Sequence, residues 1–276
     1  MKVSLKGTIS EMKMKKLIAV GLILLLLVGC TLQMEPNPVE EPGMEAELLV
    51  SAAASLANSL DEIGDLFELH HDGISVTYNY SSSGALQHQI EQGAPVDIFL
   101  SAGRKQMDML IEKGYIDHAN SVNLLSNELV VIVPEADGQS WGDLSSLTLS
   151  EVQTIAIGEP LTVPAGEYAE AALVAGGAWD SVKHKLVYGK DVRQVLFYVE
   201  TGNVDAGIVY NSDALSSSKV RIVYRFDSED HEPIAYPIGI VNHSRNDQAA
   251  LLYYEFLQSI EVLEMFGKYG FTIENE

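Results

Sequence analysis

The sequence has a single cysteine and few basic residues. Cys30 is the one cysteine among 276 residues, so the chain can form no internal disulfide bond. There are 17 lysine and arginine residues against 39 aspartate and glutamate residues, which gives a net charge of −22 at pH 7. A chain this acidic, with no basic run in its body, is a poor candidate for binding nucleic acid or anionic lipid surfaces.

Long apolar runs are also scarce. The longest, Leu17–Val28, has 12 residues and is too short to span a bilayer comfortably. It follows three lysines and leads into small residues, which predicts a secretory signal over residues 1–29. The segment Leu27–Cys30 resembles the bacterial lipobox, and this resemblance implies cleavage before Cys30 and lipidation of that cysteine. A plain signal peptide or a signal anchor with an incidental cysteine is the alternative.

The residues after the cysteine have a different composition. Residues 30–47 are rich in proline and glutamate and show no periodicity. Such a segment favours a flexible tether between a lipid and a folded domain.

From Leu48 onward, segments typical of strands and helices alternate, which predicts an α/β fold with mainly parallel strands. The first predicted strand begins at Leu48, and the following ones are 74–80, 96–100, 129–134, 154–158, 185–188, 206–210 and 220–226. The predicted helices begin at Leu56 and near 165 and 192, or span 85–92, 104–113 and 248–259.

Four of these helices follow a strand or loop through a turn, and these turns lie at Ser55, Ser83, Ala165 and Val192. The first turn of a helix leaves backbone N–H groups without partners, and the helix dipole is positive there, so such turns favour anions. In open α/β sheets, ligands collect beyond the carboxyl ends of the strands. The pattern predicts a small-anion site. Taken singly, the serines could also be helix caps, Ala165 a helix-start residue and Val192 a core residue.

These turns lie within short motifs spread from about Leu48 to Ile273. The motifs are, in order, Ala52–Leu56, Ser82–Leu86, Gln89–Glu91, Gly93–Phe99, Val163–Ala169, Asp191–Arg193, Gly207–Tyr210 and Tyr269–Thr272. In this order and spacing they resemble the molybdate-binding proteins of bacterial ABC importers.

The resemblance implies a two-lobed periplasmic-binding-protein fold of type II. Helices would cover both faces of the sheets, and the ligand would lie in the cleft between the lobes. The chain would cross between lobes twice, with 48–130 and 237–276 forming lobe 1 and 131–236 forming lobe 2.

The resemblance also implies a set of ligand residues for molybdate. Carried over position by position, they are Ser55, Ser83, Ala165, Val192 and Tyr210. Each serine offers a hydroxyl and an N–H, the next two residues offer one N–H each, and the tyrosine offers a hydroxyl. These seven donors would surround four oxyanion oxygens without a cationic side chain. Ser82 is the alternative to Ser83, because three serines stand in a row.

A site with donors alone would reject protonated oxyanions such as hydrogen phosphate. Sulfate has the same charge and shape as molybdate, so a sulfate-binding protein is an alternative function, and tungstate is expected to bind as molybdate does. A serine hydrolase is a further alternative, but Ser55 and Ser83 lie outside any Gly-x-Ser-x-Gly pattern. No histidine is tied to these serines by sequence, so no enzymatic activity is expected. The histidines show no metal-ligand spacing, so no metal beyond the oxyanion is expected. The resemblance implies no cofactor.

The resemblance implies a mode of action as well. The lobes would close over the ion, and the closed form, a monomer anchored by lipid to the outer face of the cytoplasmic membrane, would dock on a permease driven by an ATPase. Arg193 lies near the predicted cleft, and we expect it to pair with a carboxylate rather than to bind the ion.

Overall fold

A computed structural model of the chain describes residues 44–242 and 244–273. The predicted signal at 1–29, the lipidation site Cys30 and the tether as far as residue 43 lie outside the described residues. The predicted tether extends to residue 47, whereas strand β1 begins at Ala46, which pairs with Ile74. Within the described ranges, no helix is both long and apolar enough to cross a membrane.

The first lobe is built on a six-stranded sheet. Its strands are β1 Ala46–Ala53, β2 Ile74–Ser81, β3 Ile98–Leu100, β4 Ile116–Ser126, β10 Ala235–Val241 and β11 Thr272–Ile273, in the order β11-β4-β10-β3-β1-β2. The helices that pack on it are α1 Ala57–His70, α2 Ser83–Glu91, α3 Arg104–Glu112, α8 Asp247–Leu257 and α9 Ile260–Lys268.

The second lobe is built on a five-stranded sheet. Its strands are β5 Leu129–Pro134, β6 Ile155–Gly158, β7 Leu186–Gly189, β8 Ala206–Tyr210 and β9 Val220–Arg225, in the order β7-β6-β8-β5-β9. Its helices are α4 Pro164–Ala175, α5 Trp179–Val182, α6 Val192–Glu200 and α7 Asn211–Leu215.

Both sheets are mixed. Parallel pairing joins β1 to β2 and β3, and β6 to β7 and β8, as expected for strands connected through helices. The other pairs are antiparallel: β10 with β3 and β4, β11 with β4, and β5 with β8 and β9. Strands β5 and β10 enter their sheets from the other lobe, so they start at the cleft, where the parallel strands end. The prediction of mainly parallel strands therefore holds only for the strands that helices connect.

The chain passes between the sheets twice. The first crossing lies between Ser126, the last residue of β4, and Leu129, the first of β5, and the second lies between Arg225 of β9 and Ala235 of β10. The predicted lobe boundaries, 130/131 and 236/237, fall inside β5 and β10. Both termini of the described domain belong to the first lobe, and the second lobe is an insertion in it.

The buried residues explain why these segments form strands. The apolar run of β5, residues 129–133, is almost fully inaccessible to solvent, as in a strand covered on both faces. Strand β4 is different, because most of its side chains are polar and at least partly exposed. It was not predicted, and it is held in place by its antiparallel pairing with β10 and β11.

Candidate functional site

The five predicted ligand residues surround one small cavity between the lobes. Its lining consists of Ala53, Ala54, Ser55, Ser81, Ser82, Ser83, Ala102, Val163, Pro164, Ala165, Asp191, Val192 and Tyr210. The space between these residues, including its opening to solvent, is about 210 Å³. Neither lysine nor arginine occurs among these described lining residues.

Ser55 lies in a short 3-10 turn, Ala54–Leu56, that precedes α1. Its side chain caps neither this turn nor α1, so the alternative of a serine cap is wrong. Instead, the Ser55 hydroxyl lies 3.0 Å from the hydroxyl of Tyr236, and both residues are buried.

Ser83 is the first residue of α2 and is fully buried. Its Oγ accepts a hydrogen bond of 2.9 Å from the backbone N–H of Ala102, in the loop after β3. Because that N–H occupies a lone pair of Oγ, the serine's own hydrogen stays available for the cavity. Ser82 also lines the cavity, and its side chain makes no capping hydrogen bond although it stands at the N-cap position.

Ala165 and Val192 occupy the first turns of two helices in the second lobe. Pro164 and Ala165 begin α4, and Val192 begins α6, whose cap Asp191 accepts from the N–H of Gln194 at 2.8 Å. First-turn N–H groups have no acceptor within their own helix. Both residues line the cavity, so their N–H groups are the groups that the second lobe can offer to an anion.

Tyr210 ends β8, and its ring packs edge-on against Tyr236 with ring centres 5.6 Å apart. Its hydroxyl donates to the carbonyl oxygen of Ala102 at 3.1 Å. Of the seven donors expected from the sequence, this one is therefore already used, and it reaches a bound ion only if that bond is exchanged. Ala102 was not singled out in the sequence, yet its peptide groups contact both Ser83 and Tyr210.

A chain of hydrogen bonds influences the direction in which Ser55 donates. The side-chain oxygen Oδ1 of Asn127 accepts from the Glu128 N–H at 2.9 Å. Its Nδ2 therefore points the other way and donates to the Ser212 hydroxyl at 2.9 Å and to the Tyr236 hydroxyl oxygen at 3.3 Å. Burial raises the pKa of Tyr236 well above its ordinary value, so the hydroxyl stays protonated. Because Asn127 occupies a lone pair of the Tyr236 hydroxyl, this arrangement favours donation from Tyr236 to Ser55, which leaves the serine's own hydrogen for the cavity. Nothing in the sequence pattern singled out Asn127 or Tyr236.

Beside the cavity lies a buried charge pair. Arg193 Nε is 3.5 Å from the fully buried carboxylate of Asp213, which agrees with the expectation that this arginine pairs with a carboxylate. Burial raises the pKa of Asp213 to about 7, and the nearby Arg193 guanidinium opposes that rise. The pair lies outside the cavity lining.

Several hydrogen bonds join the lobes around the cavity. The N–H of Gly84 donates to the Thr162 carbonyl oxygen at 3.0 Å, and Lys105 contacts Glu167 at 2.7 Å. Together with the bond from Tyr210 to Ala102, these contacts describe a closed arrangement. Among the described residues, no three histidine, cysteine or acidic side chains gather in a way that could hold a metal ion.

Comparison with known proteins identifies relatives over almost the whole described domain. Residues 48–272 match the family model described as bacterial extracellular solute-binding protein. The Bacillus subtilis protein YvgL, whose name describes an ABC transporter substrate-binding lipoprotein, is 46% identical over 91% of this chain and 94% of its own length. The Escherichia coli molybdate-binding protein ModA is 39% identical over 83% of this chain and 90% of its own length.

A solved structure shares both sequence and fold. It comes from Clostridium difficile and is described as a substrate-binding domain of a molybdenum ABC transporter. It is 40% identical, with a TM-score of 0.66, and the match covers 84% of this chain and 100% of that one. The chain belongs to the family of bacterial extracellular solute-binding proteins.

Proposed function

We propose that this protein captures molybdate outside the cytoplasm and delivers it to the permease of an ABC transporter. The observation that carries the proposal is the small interlobe cavity, where four helix-starting turns bring hydroxyl and N–H donors together without a lysine or arginine among the described lining residues. The names of ModA and of the Clostridium difficile domain support molybdate as the ligand.

A dianion can be held without a cationic side chain. The hydroxyl and N–H groups of Ser55 and Ser83, with the N–H groups of Ala165 and Val192, give six donors for four oxygens. Oriented dipoles act strongly in a site from which water is excluded, since the local dielectric constant is low. The positive ends of α2, α4 and α6 add to the same effect.

The orientation of the hydroxyls favours a fully deprotonated ion. Ser83 accepts a hydrogen bond from the Ala102 N–H and Ser55 can accept one from Tyr236, so both hydroxyls have their own hydrogens left for the ion. A ligand that must itself donate a hydrogen bond, such as hydrogen phosphate, would meet these two hydroxyls only as donors. Sulfate carries no such hydrogen, and its exclusion would rest on cavity size.

Membership of the family makes the chain a binding protein rather than an enzyme, so the serines act as donors and not as nucleophiles. Tungstate is expected to bind as molybdate does, and no cofactor is required. We further propose that the protein is a monomer, that Cys30 carries the lipid anchor, and that a cytoplasmic ATPase drives the permease.

Titration calorimetry with molybdate, tungstate and sulfate tests the proposed ligand. We expect tight binding of molybdate and tungstate, and a loss of about 10- to 100-fold in affinity for Ser55→Ala, because a hydrogen bond to a charged group is removed. Ser59→Ala is the matched control, because this buried serine donates to the Leu56 carbonyl and does not line the cavity. Tight sulfate binding without a molybdate signal would refute the proposal.

Two further measurements test delivery and anchoring. Small-angle scattering should show a smaller radius of gyration with saturating molybdate, and identical curves would contradict capture by lobe closure. Metabolic labelling with a radioactive fatty acid should mark the wild-type chain and not Cys30→Ser, and equal labelling of both would contradict a lipid anchor at this cysteine.

A further inference from the structure

The side chain of Arg193 reaches from the second lobe to the first. Its Nε–H donates to the carbonyl oxygen of Ala54 at 3.3 Å, and its Nη2–H donates to Oδ1 of Asn58 at 2.6 Å. Both acceptors lie close to Ser55 in the chain: Ala54 begins the 3-10 turn that contains Ser55, and Asn58 lies in the first turn of α1. Arg193 follows Val192 directly, so one dipeptide of the second lobe contacts both the cavity and the opposite lobe.

The same guanidinium is held on its own lobe. Its Nη1–H donates to the Ser216 hydroxyl at 2.8 Å, and that hydroxyl donates to the backbone carbonyl of Asp213 at 2.7 Å. The Asp213 carboxylate, 3.5 Å from Nε, is fully buried. Arg193 is thus its compensating charge, and the side chain is bonded on its own lobe as well as across the cleft.

The contact with Ala54 bears on the cavity through a single peptide group. The described residues contain no cis peptide bond, so the Ala54 carbonyl and the Ser55 N–H belong to one planar trans unit and point in opposite directions. A cation that bonds to the carbonyl polarises the N–H of the same unit and makes it a stronger donor. Arg193 lies on the carbonyl side of this unit and is not among the residues that line the cavity.

We propose that Arg193 is a positioning residue that couples lobe closure to oxyanion capture, acting through the Ala54–Ser55 peptide and Asn58 rather than by contact with the ion. The inference rests on the proposed function. Closure forms the two interlobe bonds, and these bonds strengthen and hold the turn that carries Ser55. The cavity thereby gains the influence of a cation although none of its described lining residues is a lysine or an arginine.

A role limited to neutralising Asp213 predicts different behaviour. Charge neutralisation needs one positive group beside the carboxylate, and lysine could supply it. Bonds to Ala54, Asn58 and Ser216 from three different nitrogens require the planar fork of arginine.

The test compares molybdate affinity and release rate in the full chain and in three single variants. Arg193→Lys keeps a charge near Asp213 and should weaken binding about 10-fold, because the interlobe bonds are lost. Asn58→Ala removes an exposed acceptor and leaves the buried pair intact, and we expect about 5-fold weaker binding with faster release. Lys105→Ala, which breaks another interlobe contact between exposed side chains, is the control and should change affinity by less than about 2-fold.

The double variant Arg193→Lys with Asn58→Ala should bind about as weakly as Arg193→Lys alone, since both changes remove the same bond. Wild-type release rates in both Arg193→Lys and Asn58→Ala would overturn the coupling role and leave the proposed function standing. If the wild-type chain bound no molybdate, the proposed function would fall and this inference with it.

Discussion

The first lobe contributes two serine hydroxyls to the cavity, whereas the second lobe contributes backbone N–H groups beneath two apolar side chains. The hydroxyls of Ser55 and Ser83 are oriented by tertiary hydrogen bonds to Tyr236 and Ala102. The N–H groups of Ala165 and Val192 are oriented by the helices that they begin. The first lobe therefore adds side-chain donors to its backbone N–H groups, whereas Ala165 and Val192 offer backbone N–H groups alone.

This difference determines how each half responds to substitution. A side-chain change should remove a donor in the first lobe, while in the second lobe only a change that alters the backbone should do so. The helices make the second half tolerant of residue type, because any residue except proline supplies an N–H group.

The largest expected effect comes from the first lobe. The double variant Ser55→Ala with Ser83→Ala loses two bonds to a charged ligand, and we expect affinity for molybdate to fall by roughly 100-fold or more. Calorimetry measures the loss. Ser82→Ala should bind nearly as the wild type does, and a greater loss for Ser82→Ala than for Ser83→Ala would move the contact to Ser82.

The second lobe should respond to proline but not to alanine. Proline is tolerated at the first position of a helix, and the extended backbone of Asp191, with φ of −155° and ψ of 169°, suits a residue before proline. Val192→Pro should therefore keep α6 and lose one donor, which weakens molybdate binding by about 10- to 100-fold. Val192→Ala keeps the N–H and should bind molybdate within a few-fold of wild type. If calorimetry showed equal losses of affinity for Val192→Pro and Val192→Ala, the side chain and not the N–H would be the group that matters.

A substitution at a contact between the lobes should weaken molybdate binding by both halves of the site, because it keeps the lobes from closing. A Cβ at Gly84 would lie 2.6 Å from the Thr162 carbonyl oxygen, to which the Gly84 N–H donates across the cleft. Gly84→Ala should keep the lobes apart and weaken binding by about 5- to 100-fold. Scattering with saturating molybdate should show a more open form than wild type, whereas Gly267→Ala, where a Cβ meets nothing within 4 Å, should close normally.

The smallest effect is expected from the group that orients Ser55. Tyr236→Phe removes a neutral hydrogen bond, so molybdate affinity should fall by about 2- to 10-fold. Ser55 Oγ would then be free to accept, so competition by hydrogen phosphate should increase. The control is Tyr253→Phe, which removes another buried hydroxyl, bonded to Tyr78 at 2.6 Å. Unchanged competition in Tyr236→Phe would contradict the orienting role.

Much of the fold followed from local patterns. The apolar face of α1 and the buried run of β5 were recognisable because burial imposes a period on the sequence. Strand β4 carries no such period, since its polar side chains are largely accessible and its pairing partners lie more than 100 residues away, in β10 and β11. The direction of β5 and β10 was likewise set by the crossings between lobes.

The site divides in the same way. The helix starts at Ser83, Ala165 and Val192 can be predicted from the sequence, because the change from a strand pattern to a helix pattern occurs within a few neighbouring residues. The resemblance to molybdate-binding proteins added Tyr210, and the roles of all these residues as ligand contacts stay predictions that the substitutions above test. The bonds from Ala102, Asn127 and Tyr236 had no local signal, because each joins segments far apart in the chain.

The sequence by itself determined where donors without a helical partner occur, since the first turn of any helix exposes N–H groups. Only the tertiary structure brings Tyr236 and Asn127 close to Ser55, and these two side chains influence the direction in which the Ser55 hydroxyl donates. Only the tertiary structure placed Arg193 on the far side of the Ala54–Ser55 peptide. Hydrogen-bond direction and charge position depend on groups brought together by packing, and no local pattern encodes them.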